Sequence, residues 1–170
     1  TIRQLCSRGI VLDKGKVVFN GDVEDAINLY LNNDEITAKL YYDFANSHNF
    51  NFLTNKVIMD SLEILGKDNC QFKDDEKIRF RLKFHCNEDV EKLSFRTLVH
   101  NNDQMIVATS VCYNFMSCKK GESYSRVFTM DVHTLSNGFY KVIPVMFELD
   151  ELGNVIDADG VYPGLLFEYE

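Results

Sequence analysis

Tryptophan is absent from the sequence, proline occurs only twice, and long hydrophobic runs are missing although 45% of the residues are hydrophobic. A membrane-spanning helix needs roughly 20 consecutive apolar residues, and no stretch approaches that length. The first residues contain no basic segment that leads into an apolar one, so they do not form a secretion signal. The sequence starts without Met and in the middle of a pattern, which we interpret as a piece of a longer chain.

Positive charge is also scarce. The 18 Lys and Arg residues against 26 Asp and Glu residues give a net charge of −8. Nucleic acids are bound through a basic surface, so this balance argues against a nucleic acid partner. The odd number of cysteines and the absence of a Cys-x-x-Cys pair favour small buried side chains in a reducing compartment over metal or redox chemistry. The five cysteines are Cys6, Cys70, Cys86, Cys112 and Cys118.

Motifs for ATP, metal and hydrolytic chemistry are missing as well. The sequence has no Gly-x-x-x-x-Gly-Lys-Ser/Thr phosphate loop, no ABC signature and no Walker B strand. Residues 157–160 (Asp-Ala-Asp-Gly) are spaced like the start of a calcium loop, but Val161 stands where the fifth position needs an oxygen donor, so we predict a turn. None of the four histidines has a partner at ligand spacing. We therefore expect no catalytic residue, metal or cofactor in this chain, and we do not expect an enzyme.

The first 33 residues predict a β-hairpin followed by a short helix. Residues 10–12 and 17–19 are apolar runs separated by a turn in which Gly15 suits a positive φ. Asp22 is a candidate N-cap for a helix over 23–31. Residues 34–55 are rich in Asn, Asp and aromatic residues without a period, and they predict a linker with one short helix near 36–44.

From residue 56 onward the residues alternate with the period of β-strands. The clearest strand is 76–86, in which apolar residues alternate with basic ones. The other predicted strands are 93–100, 105–113, 123–132, 139–149 and an edge-like strand over 165–169. Pro144 separates two apolar sets of opposite parity, so we predict a β-bulge there. About seven strands without intervening helices predict a mainly β fold, an antiparallel immunoglobulin-like or jelly-roll-like β-sandwich preceded by the hairpin and helix.

A basic strand face is unusual in an acidic chain, and it is the candidate binding surface. Its side chains, extended by two basic residues of the next strand, suit an acidic or hydroxyl-rich ligand, whereas the alternative is a solvated outer face. Two tyrosines are candidate stacking residues, and their alternative is core packing. The candidate binding residues are Arg79, Arg81, Lys83, His85, Arg96, His100, Tyr113 and Tyr124.

A family resemblance rests on two parts of the sequence. Residues 5–22 (LCSRGIVLDKGKVVFNGD), with Ala26-Ile27 and Tyr30-Leu31, resemble the end of the nucleotide-binding domain of polysaccharide-exporting ABC transporters. Residues 135–142, 150–154 and 164–169 resemble the accessory β-sandwich of O-antigen-type exporter ATPases, a domain that recognises the exported glycan. The resemblance implies a remnant of the nucleotide-binding domain over 1–33, a linker over 34–55 and a glycan-binding accessory domain over 56–170.

The resemblance also implies a role. The chain would be the carbohydrate-binding, substrate-recognition part of the ATP-binding subunit of a lipopolysaccharide O-antigen exporter, at the cytoplasmic face of the membrane. Its partners would be the polysaccharide, the transmembrane permease and a second copy in a homodimer. ATP and magnesium are expected only for the longer parent. The alternative is a ligand-free dimerisation or docking domain in which the strand at 164–169 pairs or is exchanged between chains.

Overall fold

The computed structural model describes residues 5–31, 38–48, 52–73 and 75–170. The chain forms two compact units, residues 1–37 (the hairpin unit) and 38–170 (the sandwich unit). Among the described residues, no helix has the length and the apolar character to cross a membrane.

The hairpin unit contains the predicted hairpin and helix. Strands β1 (Arg8–Asp13) and β2 (Lys16–Asp22) pair antiparallel, and helix α1 (Val23–Leu31) follows. The turn places Gly15 at a φ of 78°, in the left-handed region that glycine tolerates best. The Asp22 carboxylate accepts the Glu24 N–H at 2.8 Å, so the predicted N-cap is confirmed. That this unit derives from a nucleotide-binding domain stays a prediction.

The described residues of the sandwich unit form a four-stranded and a six-stranded sheet. The four-stranded sheet contains, in order, β3 (Tyr41–Asp43), β4 (Val57–Ile64), β6 (Lys77–Cys86) and β9 (Ser123–Asp131). The six-stranded sheet contains, in order, β5 (Gln71–Phe72), β12 (Leu165–Tyr169), β10 (Gly138–Leu149), β7 (Val90–His100) and β8 (Ile106–Cys118), and β11 (Val155–Gly160) pairs with β10. The strands pair antiparallel except β5 and β12. The mainly β, antiparallel sandwich is thus confirmed.

The alternation of β6 shows why this sequence forms a sandwich. Its apolar residues are at most 1% exposed, and they are Ile78, Phe80, Leu82, Phe84 and Cys86. The basic residues between them lie on the opposite face. Each fully buried apolar side chain of this size stabilises the fold by roughly 1.5–3 kcal/mol, so the inward face of β6 is a large part of the core energy.

The predicted β-bulge at Pro144 is wrong. β10 pairs with β7 without a register shift at that position. Tyr140 and Val142 belong to the core between the sheets, whereas Val145 and Phe147 are buried outside it, on the opposite face of β10. Apolar residues therefore occur on both faces of β10, because this strand lies in the middle of the sheet and both of its faces are buried there. In such a strand apolar and polar residues need not alternate.

Two C-terminal segments also differ from the predictions. β12 lies between β10 and β5, so the strand at 165–169 is not at an edge. Its Leu165, Phe167 and Tyr169 are at most 2% exposed. Residues 157–160, predicted as a turn, lie in β11, where Ala158 and Asp159 are buried.

The sandwich unit begins before residue 56. In the described part of 36–44 the structure has a strand, β3, instead of the expected short helix. The hydroxyl of Tyr42 accepts the N–H groups of Lys39 at 2.9 Å and Leu166 at 3.1 Å. Phe44 is 1% exposed. These contacts tie residues just after the unit boundary to both sheets.

We expect a chain that starts at Ala38 to fold, and a chain that starts at Val57 to be much less stable. The shorter chain loses Phe44 and Tyr42, and removal of one buried Phe alone costs roughly 3–5 kcal/mol. The test is urea unfolding followed by far-ultraviolet circular dichroism, with Phe44→Ala as a point substitution and Tyr41→Ala, whose side chain is 55% exposed, as its control. Equal unfolding midpoints for the two truncated chains would contradict the placement of β3 in the sandwich.

Candidate functional site

The four basic candidates of β6 lie on the outer face of the four-stranded sheet. Two of them already have carboxylate partners on β4. Arg81 Nη1 is 2.6 Å from Glu63 Oε2, and His85 Nδ1 is 2.7 Å from Asp60 Oδ1. This part of the basic face is therefore compensated by its own sheet.

The other two, Arg79 and Lys83, are exposed. Within the described part of the chain no carboxylate forms an ion pair with either. Isolated cations on an exposed strand are solvated, and they contribute little binding energy without a neighbour that orients them. The outer face of β6 thus has the character of a solvated surface more than of a built site.

The expectation that Arg96 and His100 extend the β6 surface is wrong. β7 follows β6 in the sequence but belongs to the other sheet, so these two residues lie on the opposite side of the sandwich. Tyr113, on β8, lies on the same sheet as Arg96. The eight sequence candidates are therefore divided between the two sheets.

Tyr124 is a packing residue. Its ring stacks on Phe84 with the centroids 5.6 Å apart. Its hydroxyl donates to Glu122 Oε2 at 2.6 Å and accepts the Lys119 N–H at 3.0 Å. The hydrogen bond to Glu122 raises the pKa of Tyr124. Because its ring packs against the core, Tyr124 does not form the exposed sugar-stacking surface expected from the sequence.

The outer face of the six-stranded sheet carries four residues in contact, which we name the Arg96 cluster: Arg96, Asp157, Phe147 and Tyr113. Arg96 Nη2 donates to both carboxylate oxygens of Asp157, at 2.9 and 2.8 Å. The guanidinium carbon of Arg96 lies 5.4 Å from the Phe147 ring centroid. The Tyr113 ring meets the same phenyl ring at 85°, with the centroids 5.8 Å apart. A charged pair and an exposed aromatic ring thus share one apolar support.

Strand register brings these four residues together. Phe147 of β10 is opposite Asp157 on β11 and opposite Ser94 on β7. Arg96 is two residues beyond Ser94, so it lies on the same face of β7. Cross-strand neighbours on one face are within side-chain reach, which explains the contacts across these four strands.

Exposure suits this cluster to binding. The side chains of Arg96 and Asp157 are 25% and 21% exposed, and Tyr113 is 60% exposed. Among the described residues, Arg96 Nε is buried and has no hydrogen-bond partner. Arg96 and Asp157 are therefore held in one orientation by their surroundings but still reach solvent, and the neighbouring Tyr113 ring is exposed to solvent.

His100 lies on the same sheet face at some distance. It is four residues from Arg96 along β7, which corresponds to about 13 Å. Both of its ring nitrogens are buried, and neither has a hydrogen-bond partner within the described ranges. Lys141 of β10 is opposite His100 in the strand register. The structure thus places His100 beside the Arg96 cluster but not in it.

A small cleft opens between the sheets. Its volume is about 80 Å³, below the roughly 300–1,000 Å³ of pockets that enclose small ligands. Its lining includes Phe80, Phe95 and Phe128 of the core. In the described residues no group of three or more His, Cys, Asp or Glu side chains is arranged to hold a metal. Neither feature is as strong a candidate binding site as the Arg96 cluster.

Sequence reasoning missed two members of the cluster. The bulge predicted at Pro144 puts Phe147 on the core face, and the turn predicted over 157–160 contains Asp157. If the side chains of β10 alternate between the two faces without interruption at Pro144, Phe147 points outward. The sequence signal for this is that the apolar residues Ile143, Val145 and Phe147 are two positions apart, so they share one face of the strand.

The contribution of the ion pair can be measured by a double-mutant cycle. Asp157→Leu leaves a half-buried guanidinium without its partner, and we expect it to lower the free energy of unfolding by about 1–3 kcal/mol. The double variant Arg96→Leu/Asp157→Leu should recover most of that loss, because apolar pairs often replace buried ion pairs without cost. The exposed Lys119–Asp89 pair, with side chains 68% and 58% exposed, is the control and should show little coupling. If the changes in the free energy of unfolding caused by the two single substitutions at Arg96 and Asp157 add up to that of the double variant, the described contact is contradicted.

No protein-family model matches the sequence, and no curated protein sequence does either. Among solved structures, the C-terminal domain of wzt is similar, with a TM-score of 0.59 and 12% identity over 73% of this chain and 81% of that chain. A Niemann-Pick type C2 protein from the Japanese carpenter ant has a TM-score of 0.45 and 11% identity over 78% of this chain and 100% of that chain, which is too weak to support an argument. The sandwich is thus similar in fold to the C-terminal domain of wzt.

Proposed function

We propose that this chain is the carbohydrate-recognition part of the ATP-binding subunit of a polysaccharide exporter of the O-antigen type. Two independent lines support the proposal. The sandwich has a fold similar to the C-terminal domain of wzt. The sequence that precedes it resembles the end of an ABC nucleotide-binding domain, and the order of the two parts is that of exporter ATPases with an accessory domain.

The Arg96 cluster is the observation that carries the glycan-binding part of this proposal. An exposed tyrosine ring packs against the apolar C–H face of a sugar, and its rigidity keeps the entropy cost low. The adjacent guanidinium and carboxylate exchange hydrogen bonds with neighbouring hydroxyl groups. Phe147 supports both parts, so the site is ordered before the ligand arrives.

The charge of the cluster favours a hydroxyl-rich glycan. Asp157 neutralises Arg96 at hydrogen-bond distance, so an acidic sugar gains little from the guanidinium and is repelled by the carboxylate. Exposed cations occur instead on the opposite sheet, at Arg79 and Lys83. The preference for a neutral polymer also fits the net charge of −8.

In this proposal the chain binds polymer and performs no covalent step. The sandwich holds the glycan near the transmembrane permease at the cytoplasmic face of the membrane, and ATP with magnesium acts in the rest of the subunit. The alternative, a ligand-free dimerisation or docking domain, leaves the combination of an exposed tyrosine ring and a mostly buried ion pair without a role.

Calorimetric titration with oligosaccharides cut from the source strain's own surface polysaccharide tests the proposal. We expect Tyr113→Ala to weaken binding about tenfold, roughly 1.4 kcal/mol, because the stacking ring is lost. Tyr113→Phe keeps the ring and should retain most of the affinity. The double variant Arg96→Leu/Asp157→Leu should bind at least as weakly as Tyr113→Ala.

Arg79→Ala and Lys83→Ala are the matched controls on the opposite sheet, and both should bind as the unchanged chain does. A folded chain that binds none of these oligosaccharides would contradict glycan recognition. Binding that is lost in the Arg79 and Lys83 variants but kept in Tyr113→Ala would place the site on the basic face instead.

A further inference from the structure

Two buried cysteines lie where the chain crosses between the two sheets. β6 of the four-stranded sheet ends at Cys86, and a short connection leads from it to β7 of the six-stranded sheet. β8 of the six-stranded sheet ends at Cys118, and a turn leads back to β9 of the four-stranded sheet. Both side chains belong to the core, where they are 1% and 2% exposed. Each cysteine is thus the last residue of its strand before a crossing.

Backbone hydrogen bonds bring the two crossings together. The Cys86 N–H donates to the carbonyl of Glu122 at 3.0 Å, and the Cys86 carbonyl accepts the Gly121 N–H at 2.7 Å. The Glu122 N–H in turn donates to the carbonyl of Lys119 at 3.1 Å and closes the turn over 119–122. Cys118 directly precedes this turn, so the main chain places it next to Cys86.

The side chains of the two cysteines meet inside the core. Their thiols share a hydrogen bond, and both are free in the structure. A disulfide joins cysteines whose Cβ atoms lie about 3.5–4.5 Å apart, a distance that only neighbouring side chains reach. The other cysteines are Cys70, which is buried, and Cys6 and Cys112, which are exposed. We propose that hydrogen peroxide converts Cys86 and Cys118 into an intrachain disulfide that links the two sheets.

The reaction takes two steps. The Cys118 thiolate attacks one peroxide oxygen, the O–O bond breaks, and a sulfenic acid and hydroxide form. The Cys86 sulfur then attacks the sulfenic sulfur, the S–S bond forms and water leaves. The hydroxide takes up the proton that Cys118 released, so two thiols lose two hydrogen atoms and peroxide is reduced to two water molecules. Reducing compartments keep thiols reduced, so the link forms where peroxide accumulates.

Access for peroxide depends on the exposed turn over 119–122, which is bonded to Cys86. Asp89 holds this turn, since its carboxylate accepts the Lys120 N–H at 2.8 Å and lies 3.0 Å from Lys119 Nζ. Local opening of a surface turn costs much less free energy than global unfolding. Burial raises the pKa of the Cys86 thiol, which keeps the pair unreactive while the turn is closed. Opening places both sulfur atoms beside two lysines, whose charge favours a thiolate.

Peroxide treatment of the folded full chain, followed by alkylation and peptide mapping without reduction, tests the proposal. The double variant Cys6→Ser/Cys112→Ser removes the exposed thiols that react on their own. In this background we expect a link between the Cys86 and Cys118 peptides, and an intact mass lower by two hydrogen atoms. Replacement of either linked cysteine by Ser should abolish the link. Cys70→Ser, the matched control at another buried cysteine, should form it at an unchanged rate.

Two further measurements test access and consequence. Asp89→Asn should speed formation of the link about two- to fivefold, the range that one exposed ion pair gives. The oxidised chain should unfold at a higher urea concentration than the reduced chain, because the link restricts the unfolded state. Addition of dithiothreitol should restore the original midpoint.

The proposal is overturned if Cys86 and Cys118 stay reduced in the folded chain, or if either links to Cys70 instead. A link that forms only in denaturant would overturn it as well, because the native contact then has no part in the reaction. An Asp89→Asn chain that reacts no faster would overturn the role of the turn. The mapping of the folded chain needs no substitution at the two linked cysteines, so it decides the matter even where a Ser variant fails to fold.

Discussion

Three phenylalanine rings join the two sheets. Phe80 and Phe128 of the four-stranded sheet contact Phe95 of the six-stranded sheet, with ring centroids 6.0 and 4.4 Å apart, respectively. Because Phe95 must face inward, its neighbour Arg96 must face outward. The position of the candidate site therefore depends on the burial of the core, and a one-residue slip of β7 would place a guanidinium between the sheets. The free-energy cost of burying this charge keeps the register of β7 fixed.

Strand β11 completes both the core and the candidate site. Asp157 points outward and pairs with Arg96, whereas Asp159 is fully buried. The Asp159 carboxylate accepts the Met59 N–H at 2.6 Å and lies 2.9 Å from His48 Nδ1, so it links β11 to the other sheet. Burial raises the pKa of Asp159 despite these partners. Two carboxylates on one short strand thus have separate roles, one in joining the sheets and one at the surface.

Sequence patterns predicted what depends on neighbours along the chain. The alternation of β6, the turn at Gly15 and the cap at Asp22 are local features, and the structure has all three. Local patterns do not say which sheet a strand joins, so Arg96 was assigned to the surface of β6. The pairing of Arg96 with Asp157 spans 61 residues and depends on the order of β7, β10 and β11. No periodicity within a strand contains that information.

We propose that a glycan is recognised on the outer face of the six-stranded sheet. Amide chemical-shift mapping of the chain during titration with the oligosaccharides tests this most directly, because it reports on every strand at once. We expect the largest shifts to cluster on β7, β8 and β11, around Arg96, Tyr113 and Asp157. Shifts concentrated on β6 around Arg79 and Lys83, with β7, β8 and β11 unchanged, would contradict it.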